Sequence, residues 1–230
     1  MPWTRDRAVQ PRFNRDTVTH WTEGQARTNL RDDLGPREAK GVRAFVAIRM
    51  NEQVEDSVAK TIDELKHPND GIRWVPRANL HITLKFLGPA VDSHRLQRLT
   101  AGLHQLATRT APFEVAATGI GAFPDLDHPR SIWVGLRSVQ SGALAALAAR
   151  LETVAAEYGF EREKRRWSGH LTIGRVRDQP INRKTDDALR GARDREFGVS
   201  KIESLTLYRS HLGPEAASYE ALATFLFQPR

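Results

Sequence analysis

The sequence predicts an α+β fold made of two pseudo-symmetric lobes of antiparallel sheet backed by helices, with a central cleft. Three observations carry that prediction. Strand-like runs and helical runs follow one another without the strict alternation of a doubly wound sheet. The order strand, helix, strand occurs once and then roughly again. The two halves are marked by near-identical segments, His81-Ile82-Thr83-Leu84 and His170-Leu171-Thr172-Ile173, 89 positions apart. No 20–50-residue repeat of the solenoid kind is present.

Residues 1–41 differ in character from the remainder of the chain. They hold eight Lys/Arg and six Asp/Glu, prolines at 2, 11 and 36, and apolar residues without period. Such a segment buries too little apolar surface to offset its ordering entropy, so a polar, disordered extension is expected. The bilobal domain is expected over residues 42–230. Its first strand is Arg43 to Ile48 (RAFVAI). A helix fits Asn51 to His67, with Val54, Val58, Ile62 and Leu65 on one stripe. Asn69-Asp70-Gly71 turns the chain into a strand from Ile72 to Val75, which Pro76 closes. The first motif strand runs from Leu80 to Leu87 and stops at Gly88-Pro89. Leu96, Leu99, Leu103 and Leu106 then mark a helix. β-rich runs come next at Phe113 to Phe123 and Ser131 to Leu136. A further helix carries Leu144, Leu147, Leu151 and Val154. The basic stretch Arg162 to Trp167 leads into the second motif strand. A short helix near Asp186 to Arg193 and strands at Ile202 to Tyr208 and Tyr219 to Phe227 complete the order.

Composition narrows the function classes. The chain has 230 residues, no cysteine and a net charge of +7. Disulfides, thiolate metal sites and cysteine nucleophiles are therefore excluded. No apolar run approaches the ~20 residues of a membrane span, and no apolar segment of a signal peptide is present. A soluble, cytoplasmic monomer is expected, and the basic balance suits a polyanion such as RNA.

The two motifs carry the chemistry. In an extended strand, residues two apart share a face. Each segment therefore aims an imidazole and a hydroxyl the same way, while Ile82, Leu84, Leu171 and Ile173 face a core. Imidazole exchanges a proton near neutral pH, and a threonine hydroxyl can hydrogen-bond an oxyanion. Facing pairs would supply a general base, a general acid and two phosphate-oxygen ligands, with no metal or other cofactor required. A third match, His20-Trp21-Thr22, serves as a control: it lies in a polar stretch without apolar alternation.

The stretch Ile72 to Gly88 (IRWVPRANLHITLKFLG) resembles the bacterial RNA 2',3'-cyclic phosphodiesterases, or 2'-5' RNA ligase-like proteins, of the 2H phosphoesterase superfamily. Arg43 to Ala47, Gly121 to Pro124, Arg130 to Gly135, His170 to Arg175 and Leu207 to Ser210 resemble further family segments. The resemblance covers about residues 42–228. Gly169 departs from it, since the family usually has proline before the second histidine. The resemblance implies hydrolysis of a 2',3'-cyclic phosphate at an RNA end to a 2'-phosphomonoester, reversible as 2'-5' ligation. It makes His81 the proton donor and His170 the proton acceptor, with Thr83 and Thr172 binding the phosphate. The alternatives are another 2'-linked or cyclic nucleotide substrate, such as a 2'-5' oligoadenylate or an ADP-ribose cyclic phosphate, or a non-catalytic RNA-binding module.

Other residues are candidates with a structural counter-reading. Arg175 would suit a phosphate, but simple alternation puts it on the face opposite His170, so it needs a bulge or strand end to reach the cleft. Arg130 is a candidate RNA contact. Trp133 is another, its counter-reading being core. Lys85 shares parity with His81 and Thr83. Phe45, Phe123 and Tyr208 are candidates for stacking a base. The Arg162–Trp167 stretch interleaves cations with an indole, as a backbone-tracking loop would, or is an ordinary solvated loop. Asp125-x-Asp127-His128 reads as a turn rather than a metal site. Gly119-Ile120-Gly121 lacks the third glycine of a nucleotide loop.

Overall fold

The computed structural model describes residues 41–177, 181–213 and 217–228; the expectation of a disordered extension and the control motif at His20 lie outside them. Four helices and nine strands are built from these residues. In chain order they are β1 (Val42–Ile48), α1 (Glu52–Leu65), β2 (Ile72–Trp74), β3 (Ile82–Val91), α2 (Ser93–Thr108), β4 (Phe113–Phe123) and β5 (Ser131–Ser138). Then come α3 (Ala143–Glu157), β6 (His170–Val176), α4 (Arg183–Gly191), β7 (Glu196–Ile202), β8 (Ser204–Leu212) and β9 (Ala217–Leu226). A single 3-10 turn, Arg77–Asn79, separates β2 from β3.

The helices obey the periodicities read from sequence. Asn51 caps α1 by accepting from the Val54 N–H, and Asp92 caps α2 through the Arg95 N–H. On α2 the leucines at 96, 99, 103 and 106 are all buried. Each contributes about 1.5–3 kcal/mol relative to an exposed side chain. On α3, Leu144, Leu147 and Leu151 are buried, but Ala155 completes the inward stripe and Val154 sits half-buried beside it.

The strands form two antiparallel sheets, in the order β3-β1-β8-β9 and β2-β6-β5-β4-β7. Both motif strands are therefore present, one in each sheet, as the two-lobe prediction requires. The lobes are not consecutive halves of the chain, however. The last two strands, β8 and β9, return to the first sheet. β2, which leads directly into the first motif, crosses over and pairs with the second motif strand: Trp74 lies opposite Gly174 and Arg73 opposite Arg175.

Two local expectations are corrected. The helix near 186–193 begins at Arg183, because Asn182 accepts from the Thr185 N–H and starts it earlier. The strand expected from Ile202 is two strands. β7 ends at Ile202 beside β4, and β8 begins at Ser204 in the other sheet. Glu196–Ile202 has little apolar alternation, with only Phe197, Ser200 and Ile202 buried, so its pairing left little trace in the sequence.

Candidate active site

Each motif histidine is held by the same local contact. His81 Nδ1 lies 2.7 Å from the Asn79 carbonyl oxygen, and His170 Nδ1 lies 2.8 Å from that of Ser168. A carbonyl oxygen only accepts, so Nδ1 carries a proton in both rings. Nε2 is then the nitrogen left to exchange a proton with a reacting group. The hydroxyls of Thr83 and Thr172 have no protein partner among the described residues.

The two strands share a further irregularity. Along β1 and β3, Ala47 pairs with Thr83 and Val46 with Lys85, so Leu84 is an extra residue. Along β5 and β6, Trp133 pairs with Thr172 and Ile132 with Gly174, so Ile173 is extra. Each bulge falls on the residue immediately after the threonine, and each inverts the alternation beyond it. This puts two candidates on opposite faces. Arg175 is turned back to the histidine's side and is exposed. Lys85 is turned under the sheet, where its ammonium donates to Glu152 Oε1 at 2.6 Å and to the Glu161 carbonyl at 2.9 Å. It is 5% exposed and already paired.

The two halves meet here. Strands β3 and β6 are in contact, and the Trp167 indole N–H donates to the Thr83 carbonyl at 3.1 Å. Burial pushes the His81 pKa below its usual 6.5. The hydrogen bond to Asn79 opposes that fall, and the charges of Arg49, Arg175 and His170 add to it. His81 thus senses both the second histidine and Arg175. Arg130 is an exposed residue just before β5, its backbone bonded to Phe123 and Val176.

Aromatic rings flank both imidazoles. Phe45 lies 4.9 Å from His81 and stacks on Tyr208 at 5.3 Å. Phe123 meets His170 edge-on at 5.0 Å and Trp133 at 5.3 Å. Trp133 lies flat over Gly121, where a Cβ would come within 2.3 Å of the ring, so only glycine fits beneath it. Asp125 accepts from the N–H groups of Asp127 and His128, which makes that segment a turn.

Three residues of this region were not read from sequence. Tyr219 packs edge-on against His81 at 4.9 Å. Arg49 and Glu55 form a two-pronged ion pair at 2.8 and 2.6 Å, and Arg49 also donates to the Ala78 carbonyl. With Arg77 beside Glu55, this network holds the turn that presents Asn79 to His81. Two surface hollows of about 510 and 420 Å³ lie elsewhere, one between Glu64 and Arg195, the other around His67 and Asn182.

A two-lobed molecule with matched histidine–threonine strands, one per sheet, is the class that fold and site define. The chain belongs to the 2'-5' RNA ligase superfamily, whose family profile matches residues 54–214. It is 32% identical over 184 residues to the RNA 2',3'-cyclic phosphodiesterase of Archaeoglobus fulgidus, covering 80% of this chain and 99% of that one. The protein of the same name from Methanocaldococcus jannaschii is 32% identical over 181 residues, 79% and 98% of the two chains. Among solved structures, TT0787 of Thermus thermophilus superposes with a TM-score of 0.69 at 26% identity, over 81% of this chain and 98% of that one. LigT of Escherichia coli, complexed with 3'-AMP, superposes with a TM-score of 0.64 at 23% identity, over 81% and 98%. Among the described residues no helix is long and apolar enough to cross a membrane.

Proposed function

We propose that this protein hydrolyses the 2',3'-cyclic phosphate at RNA ends to a 2'-phosphomonoester, using His81 and His170 as an acid–base pair. The observation that carries the reading is the duplicated histidine geometry, in which two backbone carbonyls leave two Nε2 atoms free in contacting strands. The names of its relatives support the substrate class.

In the proposed step, His170 Nε2 takes a proton from water as the water oxygen attacks phosphorus. The P–O3' bond breaks, and His81 Nε2–H gives its proton to the departing O3'. The 2'-phosphomonoester remains. Each transfer contributes about 10²–10⁴ in rate. Thr83, Thr172 and Arg175 bind the non-bridging oxygens as negative charge gathers there. Arg130 is a candidate for the strand beyond the phosphate. Run backwards, with a ribose hydroxyl in place of water, the same transfers make a 2'-5' linkage. The scheme asks nothing of a metal.

The test is hydrolysis of an RNA ending in a 2',3'-cyclic phosphate, in EDTA, by the unaltered protein and by His81→Ala and His170→Ala. Turnover is expected to persist in chelator. Each variant should lose at least two orders of magnitude in kcat while still binding the 2'-phosphorylated product. Cleavage of a 2'-5' oligoadenylate or an ADP-ribose cyclic phosphate in preference to the RNA end would overturn the substrate, and unchanged turnover in either variant would overturn the mechanism.

A further inference from the structure

The segment from Glu161 to Trp167 (EREKRRW) joins α3 to the second motif strand and carries four cations, Arg162, Lys164, Arg165 and Arg166. All four are exposed. Among the described residues none of their side chains has an ion-pair partner. Of the two carboxylates in the same stretch, Glu163 is turned back onto the loop's own Arg165 N–H at 3.3 Å.

Unpaired surface cations alone mean little. These are set apart because the loop is tied at both ends to the strand that carries the first motif. At its start, Lys85 of β3 donates to the Glu161 carbonyl at 2.9 Å, and Glu152, which Lys85 also holds, accepts from the Glu163 N–H at 2.7 Å. Just upstream, Phe160 is buried beneath the Arg95 guanidinium, 4.2 Å from its ring. At its end, Trp167 donates to the Thr83 carbonyl at 3.1 Å, three residues before His170. β3 is the outermost strand of its sheet, so the loop runs along its free side. Its cations are thereby held between the anchors at Lys85 and Thr83, spanning at most ~14 Å.

We propose that the Arg162–Arg166 stretch is the docking surface for the phosphodiester backbone that precedes the cyclic end, so that the protein selects an RNA strand over a cyclic mononucleotide. The inference rests on the function proposed above and names the larger part of its substrate. A polyanion fits these residues because four like charges held close together are relieved by an opposite, repeating charge. A protein ligand would be expected to meet apolar anchors, and the exposed positions of this loop supply none.

The experiment compares a 2',3'-cyclic mononucleotide with a single-stranded RNA of about ten nucleotides ending in the same group, as salt is raised. The proteins are the unaltered chain and the combined variant Arg162→Gln, Lys164→Gln, Arg165→Gln, Arg166→Gln. For the unaltered protein, KM for the RNA should be lower than for the mononucleotide and should climb steeply with salt. The variant should raise KM for the RNA about 10- to 100-fold, leave kcat and the mononucleotide KM in place, and flatten the salt slope by about 2 to 3, at ~0.7 per released phosphate contact. A variant that affects both substrates alike, or neither, overturns the docking surface. If the unaltered protein cleaves neither substrate, the proposed function fails instead. Fluorescence anisotropy of a labelled single-stranded RNA then decides the loop: weaker binding by the variant sustains it, and equal binding overturns it.

Discussion

The indole N–H of Trp167 donates to the carbonyl oxygen of Thr83 at 3.1 Å, joining the approach to one motif histidine to the strand of the other. The ring has room because residue 169 is glycine. A Cβ there would fall 2.7 Å from the indole and 3.3 Å from Leu144. Glycine at 169 is thus matched to the bulky indole two residues before it.

Trp167→Phe keeps an aromatic ring, though a smaller one, and removes the donor. It should lower kcat by about 3- to 10-fold, the value of one hydrogen bond of about 1 kcal/mol, with KM for a cyclic mononucleotide little changed. Gly169→Ala should cost more by displacing the ring, and the two substitutions should combine less than additively. Steady-state kinetics of the two single variants and the double variant checks this. Additive losses would mean that the residues act separately.

The depressed pKa of His81 sets a pH signature. A bell-shaped profile of kcat/KM reports the free protein's acid and base, so the limb governed by His81, the proposed acid, should lie below pH 6.5. Arg175→Gln removes one of the positive charges acting on His81 and should move that limb upward. The shift concerns the position of the limb, whatever happens to its height. A limb that stays in place would remove Arg175 from the electrostatic field of His81.

The same depression has a stability consequence of fixed sign. A histidine whose folded pKa lies below its unfolded value contributes fully above about pH 6.5 and loses that contribution as pH falls towards the folded value. Thermal unfolding of the unaltered protein should therefore show an acid-side decline of Tm that is smaller in His81→Asn.

Glu55 is 2% exposed and faces Arg49 and Arg77. Glu55→Ala deprives the Arg49 guanidinium of its carboxylate and loosens the turn before His81. The cost should be roughly 2–3 kcal/mol, below the ~3–5 of a fully buried pair because the Arg49 side chain is 27% exposed. Chemical denaturation measures the loss, and kcat should fall more than KM rises because the Asn79 carbonyl is no longer held in place.

Thr83→Val and Thr172→Val preserve shape and delete one hydroxyl each. In the proposed scheme each should cost roughly 10²-fold in kcat, with Tm little altered because neither hydroxyl has a protein partner among the described residues.

Much of this architecture was legible in the chain. The leucine stripes of α2 and α3, the apolar stripe of α1 and the two histidine–threonine strands follow from period and spacing alone. What escaped has a common physical cause: it depends on pairing between distant segments. Simple alternation gave Lys85 to the cleft and turned Arg175 away from it, and the bulges at Leu84 and Ile173 reverse both assignments. Tyr219 reaches His81 only because β9 returns beside β8, and Ser210 opposite Tyr219 is a register no local pattern encodes. Arg49 and Glu55 are six positions apart, a spacing that carries no local signal of pairing. Their pairing is visible only once β1 and α1 are placed in space.

The crossing of β2 means that neither hemisphere owns all of its own ribbons. A backbone severed near residue 140 would leave both pieces with orphaned edges, each fitting a strand on the other fragment. The fragments should therefore recombine when mixed rather than fold as separate beads, and co-expression of the two should restore what either alone lacks.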